Sequence, residues 1–420
     1  MTIKNFCDKI EQRKDELFSM LSDLIKINSE NFATYGNEAE CAEYIHKLCQ
    51  ELGLESDIFS PLDLEGFTEH PDYMEGRNLE NRLSVVARYK GATDKDELML
   101  MGHIDTVPIG DVESWDKDPL SGEISDGKIF GRGACDDKYA IAVMLFLAKI
   151  LKEEGFVPSK NLLLCSYSDE EAGGSHGALS SVIKYPCERI VNMDGYASQI
   201  WNCATGGGCF KYTWRTKETV DSTKLTALAI PVIIEEIEKF ADRRRSELRN
   251  NPYYKGSDVP ESAMRYTLFH TGGDGGVDLD RGIVHFAVYT DKSKEEIMAE
   301  LEEIENILMA RLDSMGMIGE KIIPTTRFFH YVHCAPDSED ILLMLEASKE
   351  AIGKSPLVCG SCLSDFSVIS KYGSSKAFTF GAAKDFADEG GAHQANECIE
   401  CDKLLEYAKA IGAYILKVLG

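Results

Sequence analysis

The chain has 420 residues, and its 71 acidic residues against 45 basic ones give a net charge of −26. A field of that sign disfavours anionic partners, so we expect neither nucleic acid nor an acidic membrane surface as a partner. The length exceeds the usual size of one hydrophobic core and predicts two domains.

The N-terminal segment is charged throughout and has no apolar core with a small-residue cleavage signal, which predicts no secretory peptide. The sequence nowhere approaches about eighteen uninterrupted apolar residues, so no membrane span is predicted. Thirteen cysteines without a scaffold spacing indicate reduced thiols. Together these features predict a cytoplasmic protein.

Apolar positions at helical spacing predict that the chain opens with two helices, over residues 5–27 and 37–52. A further helix is predicted over 138–152. Apolar runs of strand character occur at 83–89, 97–105, 161–168 and 189–194. This alternation predicts an α/β fold, with a central, mostly parallel sheet flanked by helices.

The pattern changes near residue 199. A Gly-rich joint at 205–209 leads to a short strand KYTWR, a helix over 223–240 and a polar insertion. Strands follow at 263–270 and 283–290, on either side of a GGDGG turn at 272–276. A helix over 292–315 and an apolar run at 321–329 complete this part of the chain. The order β-α-β-β-α predicts an inserted α+β domain of the split βαβ, ferredoxin-like type. We therefore expect one discontinuous domain, 1–198 with 326–420, and an inserted domain, 199–325. Helices near 337–352 and over 402–419, with a strand at 379–381, complete the first domain.

Acidic and imidazole side chains stand beside small residues in several short strings. These are MGHIDTVP at 101–108, GRGACDDK at 131–138, SDEEAGG at 168–174, NMDG at 192–195 and AHQANE at 392–397. Each string alone has a simpler interpretation: a strand-end turn, a helix cap before residue 138, a solvated acidic turn, or a lone histidine at the surface. Several follow predicted strands, where open α/β sheets keep their sites. Their conjunction favours a metal site.

The side chains in these strings suit hydrolytic chemistry. His103 and Asp105 stand two apart, so on an extended strand end they point the same way, and the carboxylate could fix the imidazole. The adjacent Glu170 and Glu171 diverge, so one could bind a metal while the other takes a proton from a water on it. Two divalent cations are balanced by three carboxylates and one hydroxide, which leaves Glu170 free to move a proton.

Taken together and in this order, the strings resemble the di-zinc hydrolase family of aminoacylases, acetylornithine deacetylase, succinyl-diaminopimelate desuccinylase, glutamate carboxypeptidase and related dipeptidases. The resemblance runs from the first helix to the last. It implies a hydrolase that cleaves an amide bond in a small molecule or peptide, of the exopeptidase, dipeptidase or N-acyl amino acid deacylase type. It also implies two divalent metal ions, zinc with cobalt or manganese as alternatives, in the discontinuous catalytic domain. The inserted domain would act as a lid and could pair two chains into a homodimer.

The resemblance assigns a role to each candidate residue. The metal ligands it implies are His103, Asp136, Glu171, Asp194 and His393. Asp136 would bridge the two metals, and the peptide bond that follows it would be cis. Asp105 would steady His103, and Glu170 would be the general base that activates a metal-bridging water.

Two departures from the family concern the inserted domain. The stretch TKETVDSTKL at 216–225 has no histidine where most members have one, and VYTDKS at 288–293 replaces an Asp-x-Arg that grips a substrate carboxylate. Candidate replacements are Lys211, Arg215, His270, Arg281 and Lys292. The alternative function is therefore a metal-binding homologue that has lost catalysis and serves in ligand binding or assembly.

The cysteines include two CxxC pairs, Cys359 with Cys362 and Cys398 with Cys401, a pattern typical of structural zinc or redox chemistry. The string SCLSD at 361–365 coincides with a family segment beside the site, which favours ordinary buried thiols instead. Cys135, next to Asp136, is a candidate oxidation site.

Overall fold

The computed structural model describes residues 1–218, 220–272 and 278–420, and the chain divides into two units. The first unit comprises Met1–Asn202, His333–Cys359 and Val368–Gly420, and the second comprises Cys203–Val332 and Gly360–Ser367. Residues 273–276 of the predicted GGDGG turn lie outside the described residues, as does Thr219 in the stretch 216–225.

Three segments lie on the other side of the predicted boundaries: residues 199–202 belong to the first unit, and residues 326–332 and 360–367 belong to the second. Gly360–Ser367, expected in the first domain, belongs to the second unit. The hydroxyl of Tyr254 donates to the main-chain oxygen of Ser361 at 3.1 Å, and the hydroxyl of Ser361 donates to the main-chain oxygen of Cys203 at 3.2 Å. Such contacts join residues more than a hundred positions apart, so periodicity could not predict them. Cys359 and Cys362 consequently fall in different units.

The elements of the first unit mostly match the predicted positions. Its α-helices are Ile3–Gln12, Lys14–Ile25, Ala39–Glu51, Lys138–Glu153, His176–Lys184, Glu339–Ile352 and Cys401–Leu419. Its strands are Glu55–Phe59, Ser84–Tyr89, Asp96–His103, Ile124–Ser125, Lys128–Phe130, Asn161–Tyr167, Arg189–Asn192, Phe378–Gly381 and Cys398–Glu400. The chain crosses between units within Gln199–Ala204, Val332–His333, Val358–Ser361 and the short helix Phe366–Val368. The helix predicted over 5–27 is two helices, because Arg13 departs from helical geometry at φ −114° and ψ 16°.

The centre of the main sheet is parallel. Its parallel strands, in spatial order, are Asn161–Tyr167, Asp96–His103, Arg189–Asn192 and Phe378–Gly381. Antiparallel strands Ser84–Tyr89 and Glu55–Phe59 extend one edge. Asn161–Tyr167 is buried at every position, which explains its unbroken apolar run, since central parallel strands are covered on both faces. The predicted mixed α/β fold with a mostly parallel, helix-flanked sheet is confirmed.

The amino ends of three parallel strands are tied together by one carboxylate. Glu97 is the second residue of the strand Asp96–His103 and is 5% exposed. Its oxygens lie 2.7 Å from Lys160 Nζ, 3.2 Å from Lys95 Nζ and 3.3 Å from Arg189 Nε. Burial alone would raise the pKa of Glu97, but these cations outweigh it and lower the pKa to about 2. The carboxyl ends of the same strands carry the candidate site.

We expect Glu97→Gln to lower the free energy of unfolding at pH 7 by about 1–2 kcal/mol, because the two lysines are partly exposed and screened. A carboxyl whose pKa is lowered on folding stabilises the protein above its unfolded pKa and loses that contribution as the pH falls. The difference between wild type and variant should therefore shrink from about pH 4.5 down to pH 2. Urea unfolding over this pH range measures it, and a difference that stayed constant with pH would contradict the assigned ion pairs.

The second unit contains the predicted β-α-β-β-α order. Its helices are Ser222–Leu228, Ile230–Asn250 and Lys294–Ser314, and its strands are Gly206–Thr216, Met264–Thr271, Arg281–Thr290, Met317–Gly319 and Ile323–Pro324. The predicted joint at 205–209 is wrong, because residues 206–209 belong to the first strand. There Gly207 has φ +123°, and a Cβ on it would lie 1.8 Å from the main-chain oxygen of Val288, so the glycine permits close strand pairing. The role of this unit as a lid stays a prediction.

Candidate metal centre

The candidate site lies in the first unit, at the carboxyl ends of the parallel strands. His103 is the last residue of its strand, and Glu171 and Asp194 follow the two neighbouring strands. Asp136 precedes the helix Lys138–Glu153, and His393 precedes the strand Cys398–Glu400. Carboxyl ends of parallel strands meet at one edge of a sheet, which explains why residues so far apart in sequence converge.

Asp136 lies at the centre of the group. Its Oδ1 is 2.9 Å from His103 Nε2, and its Oδ2 is 3.4 Å from His393 Nε2. His393 Nε2 in turn lies 2.7 Å from Glu171 Oε2. One ligand atom from each of His103, Asp136 and Glu171 falls within 4.8 Å of the others. The Asp136–Asp137 peptide bond is cis, as the resemblance implied.

His103 is held in one tautomer by the main chain. Its Nδ1 lies 2.9 Å from the main-chain oxygen of Asp105 but 3.7 Å from the carboxylate. A carbonyl only accepts, so Nδ1 carries the proton and Nε2 is the nitrogen available to a metal. The main-chain oxygen of Asp105 thus makes the closer contact with the ring, and the expectation that the carboxylate of Asp105 steadies the ring stays a prediction.

The carboxylate of Asp105 holds the turn that carries the two glutamates. It accepts from the main-chain N–H of Glu170 at 3.0 Å, from that of Glu171 at 3.1 Å and from Asn31 Nδ2 at 2.8 Å. The side chain of Glu171 is fixed at its other oxygen, where Oε1 accepts from the N–H of Val107 at 3.0 Å. We therefore expect Asp105 to act by positioning these residues and to touch no substrate.

The electrostatics of the group favour a cation. Burial and the charge of Asp136 raise the pKa of Glu171 to about 7 and that of Asp194 to about 6. Burial lowers the pKa of His393, but Glu171 and Asp136 outweigh it and raise the pKa to about 11. Carboxylates packed this closely repel one another, and a divalent ion would relieve that repulsion. The nitrogen and oxygen ligand set fits Zn²⁺ and similar divalent ions.

The family follows from comparison with known proteins. Residues 99–417 match the model of Peptidase family M20/M25/M40. The chain belongs to this family.

Individual relatives agree with that placement. An uncharacterized metallohydrolase of Methanocaldococcus jannaschii is 36% identical over 165 residues, which cover 39% of this chain and 38% of that protein. The matched part thus spans well under half of the length of such curated relatives. Human carnosine dipeptidase 1 has the same fold, with a TM-score of 0.74 and 15% identity over 99% of this chain and 98% of that one. A dinuclear metal-binding peptidase of the M20 family from Bacillus subtilis superposes with a TM-score of 0.61 and 17% identity, covering 97% of this chain and 98% of that one.

Within this M20/M25/M40 chain, Glu170 stands apart from the donor group around Asp136. It is half-buried, and its negative charge helps to raise the pKa of His103 against the effect of burial. It therefore lies near enough to His103 to act on that residue's charge, and it is not one of the three clustered donors. The main chain next to Asp194 is held by Tyr139, whose hydroxyl donates to the main-chain oxygen of the preceding residue, Met193, at 2.6 Å.

A buried ionic cluster behind the glutamates was not foreseen. Asp169 has φ +65° and accepts from Arg77 Nη1 at 2.7 Å, from Arg82 and from His176 Nδ1. Arg82 also lies 2.9 Å from Glu38, and neither side chain is exposed. Asp169 stands in the quoted string SDEEAGG, but its arginine partners carried no motif. The cluster fixes the residue that precedes Glu170.

The cysteines give no sign of a further metal. Within residues 1–218, 220–272 and 278–420, the metal-competent group of His, Cys, Asp and Glu side chains contains no thiol. Burial, with Glu397 and Asp136, raises the pKa of Cys135 well above its usual value. A buried thiol of raised pKa is a poor nucleophile, so the structure does not support Cys135 as an oxidation site.

None of the helices in the described ranges combines the length and apolar character needed to cross a bilayer.

Proposed function

We propose that this chain is a hydrolase that cleaves an amide bond with the help of two divalent metal ions, preferentially zinc. The observation that carries the proposal is the position of Asp136, whose two oxygens each lie against a different imidazole. A carboxylate in that position suits a ligand shared by two ions. His103, Glu171, Asp194 and His393 would complete the coordination.

Each group at the site would have a separate role in the hydrolysis. Bound metals would polarise the amide carbonyl and make water a better nucleophile. Glu170 would accept the proton of the attacking water and pass it to the leaving amine, the role of a general base and then acid. Asp105 holds the N–H groups of Glu170 and Glu171, so it would keep the base and its neighbouring ligand aimed at the same point.

The substrate class we propose is a dipeptide or an N-acyl amino acid. The human protein of the same fold is a dipeptidase, which supports the dipeptide, and the archaeal relative supports a metallohydrolase in general. The lid residues that grip a free α-carboxylate in many family members are changed here. The homodimer through the inserted domain and the cytoplasmic location also stay predictions.

We expect removal of metal to abolish hydrolysis and to lower the melting temperature, because ions that bind only the folded state stabilise it, by about 2.7 kcal/mol at a hundredfold excess over Kd. The protein is dialysed against a chelator, and zinc, cobalt or manganese is then returned. Metal analysis should give about two ions per chain, and a panel of dipeptides and N-acyl amino acids should identify a substrate.

Binding of two ions without turnover of any panel member would favour the alternative, a non-catalytic metal-binding homologue. Hydrolysis that survives complete metal removal would contradict both functions.

A further inference from the structure

Two residues of the quoted strings form a buried ion pair that the proposed mechanism does not use. Arg132 Nη1 lies 2.6 Å from Glu397 Oε2, and the side chains are 4% and 1% exposed. Burying two charges costs free energy unless further hydrogen bonds satisfy them. The placement of those further bonds therefore indicates what the pair does.

The further bonds go to the loops that carry candidate ligands. Glu397 Oε1 accepts from the N–H of Cys135 at 2.9 Å, the residue directly before Asp136. Arg132 Nη1 donates to the main-chain oxygen of Gln394 at 3.2 Å, the residue directly after His393. The pair thus contacts the main chain directly beside two candidate ligands, Asp136 and His393.

A third loop is held by the same guanidinium. Arg132 Nη2 lies 3.4 Å from the main-chain oxygen of Pro108, at the end of the string that contains His103. The ring of Trp115 lies 5.1 Å from the guanidinium carbon, within range of a cation–π contact. The main chain adds to the link, because Gly131 N–H donates to the oxygen of Glu397 at 2.9 Å.

We propose that Arg132 and Glu397 are positioning residues of the metal centre. Their ion pair clamps the Asp136 loop against the His393 loop and so sets the distance between two ligands that are 257 positions apart in sequence. Neither side chain needs to touch metal or substrate. The inference rests on the proposed metal centre, but it depends on metal affinity and not on hydrolysis.

The test measures zinc affinity by competition with a chromophoric chelator in wild type, Arg132→Met and Glu397→Gln. We expect each variant to bind zinc about 10- to 100-fold more weakly, the usual loss when a partner that orients a ligand is removed. The double variant should be no worse than the weaker single one, because both changes break the same clamp.

The matched control is Asp340→Asn, which disrupts another ion pair of the first unit, that of the buried Asp340 with the partly buried Arg189. It should lower the melting temperature of the metal-free protein about as much as the clamp variants do and leave zinc affinity unchanged. Equal loss of zinc affinity in the control, or wild-type affinity in both clamp variants, would overturn the proposal.

Arg132→Lys serves if the larger changes prevent folding. It keeps the charge but not the forked contacts to Gln394 and Pro108, and we expect it to fold and still bind zinc several-fold more weakly. Wild-type affinity in this variant would refute the clamp. If the variants bind zinc more weakly and the wild-type protein hydrolyses no panel substrate, the positioning role is supported and only the proposed hydrolysis is refuted.

Discussion

Glu170→Gln is expected to lower kcat by about 10²- to 10⁴-fold and to leave about two metal ions bound per chain. Glutamine keeps the size of the side chain but cannot accept a proton from water. The turn should persist, because Asp105 holds the main-chain N–H of residue 170 and not its side chain. Steady-state kinetics on the best panel substrate, with metal analysis of the same sample, measures both quantities.

Glu171→Gln is the matched control for this prediction. Glu171 contributes to the clustered donor group around Asp136, so its substitution should lower metal content together with activity. This pair of results would assign proton transfer to Glu170 and metal binding to Glu171. Full activity in Glu170→Gln, or loss of metal from it, would refute the role assigned to this residue.

Arg82→Met is expected to lower the free energy of unfolding by about 3–5 kcal/mol, the usual cost of breaking a buried ion pair from one side. The substitution leaves Glu38 buried without its arginine, and it removes one of the cationic partners of Asp169, which keeps Arg77 and His176. Activity should fall as well, because Asp169 precedes Glu170 in the same turn. Denaturant unfolding of the metal-free protein measures the stability without a contribution from metal binding.

Arg88→Met provides the comparison. Arg88 makes a two-pronged contact with Asp96, 2.9 Å at each prong, but its side chain is 24% exposed. Loss of a partly solvated pair should cost no more than about 1 kcal/mol. Similar costs in the two variants would mean that the charges around Arg82 are better solvated than their burial indicates.

The sequence predicted the parts of the site that depend on strand order. His103, Glu171 and Asp194 each follow an apolar run, and the parallel pairing of those runs brings them together at one edge. The cis bond after Asp136 followed from the resemblance alone. These residues stand in strings that can be recognised without knowledge of distant contacts.

The supporting contacts could not be predicted because their partners are remote and carry no motif. Asn31 reaches Asp105 across 74 positions, and Arg82 reaches Asp169 across 87. Arg132 and Glu397 stood inside quoted strings, but only the fold shows that they meet. The interruption of the predicted first helix at Arg13 could not be predicted either, because no proline or glycine stands there.

The sequence positions of the arginines that bind Asp169 matter when chains of this family are compared or engineered. Arg77 and Arg82 precede residue 99, where the match to the family model begins, whereas every residue proposed to bind metal or move a proton lies after it. The reactive groups and this part of the framework that positions them are thus encoded in different stretches of the chain. A chimera that grafts this catalytic segment onto the leading segment of a relative would carry all the reactive groups but not the counter-charges on which their geometry depends.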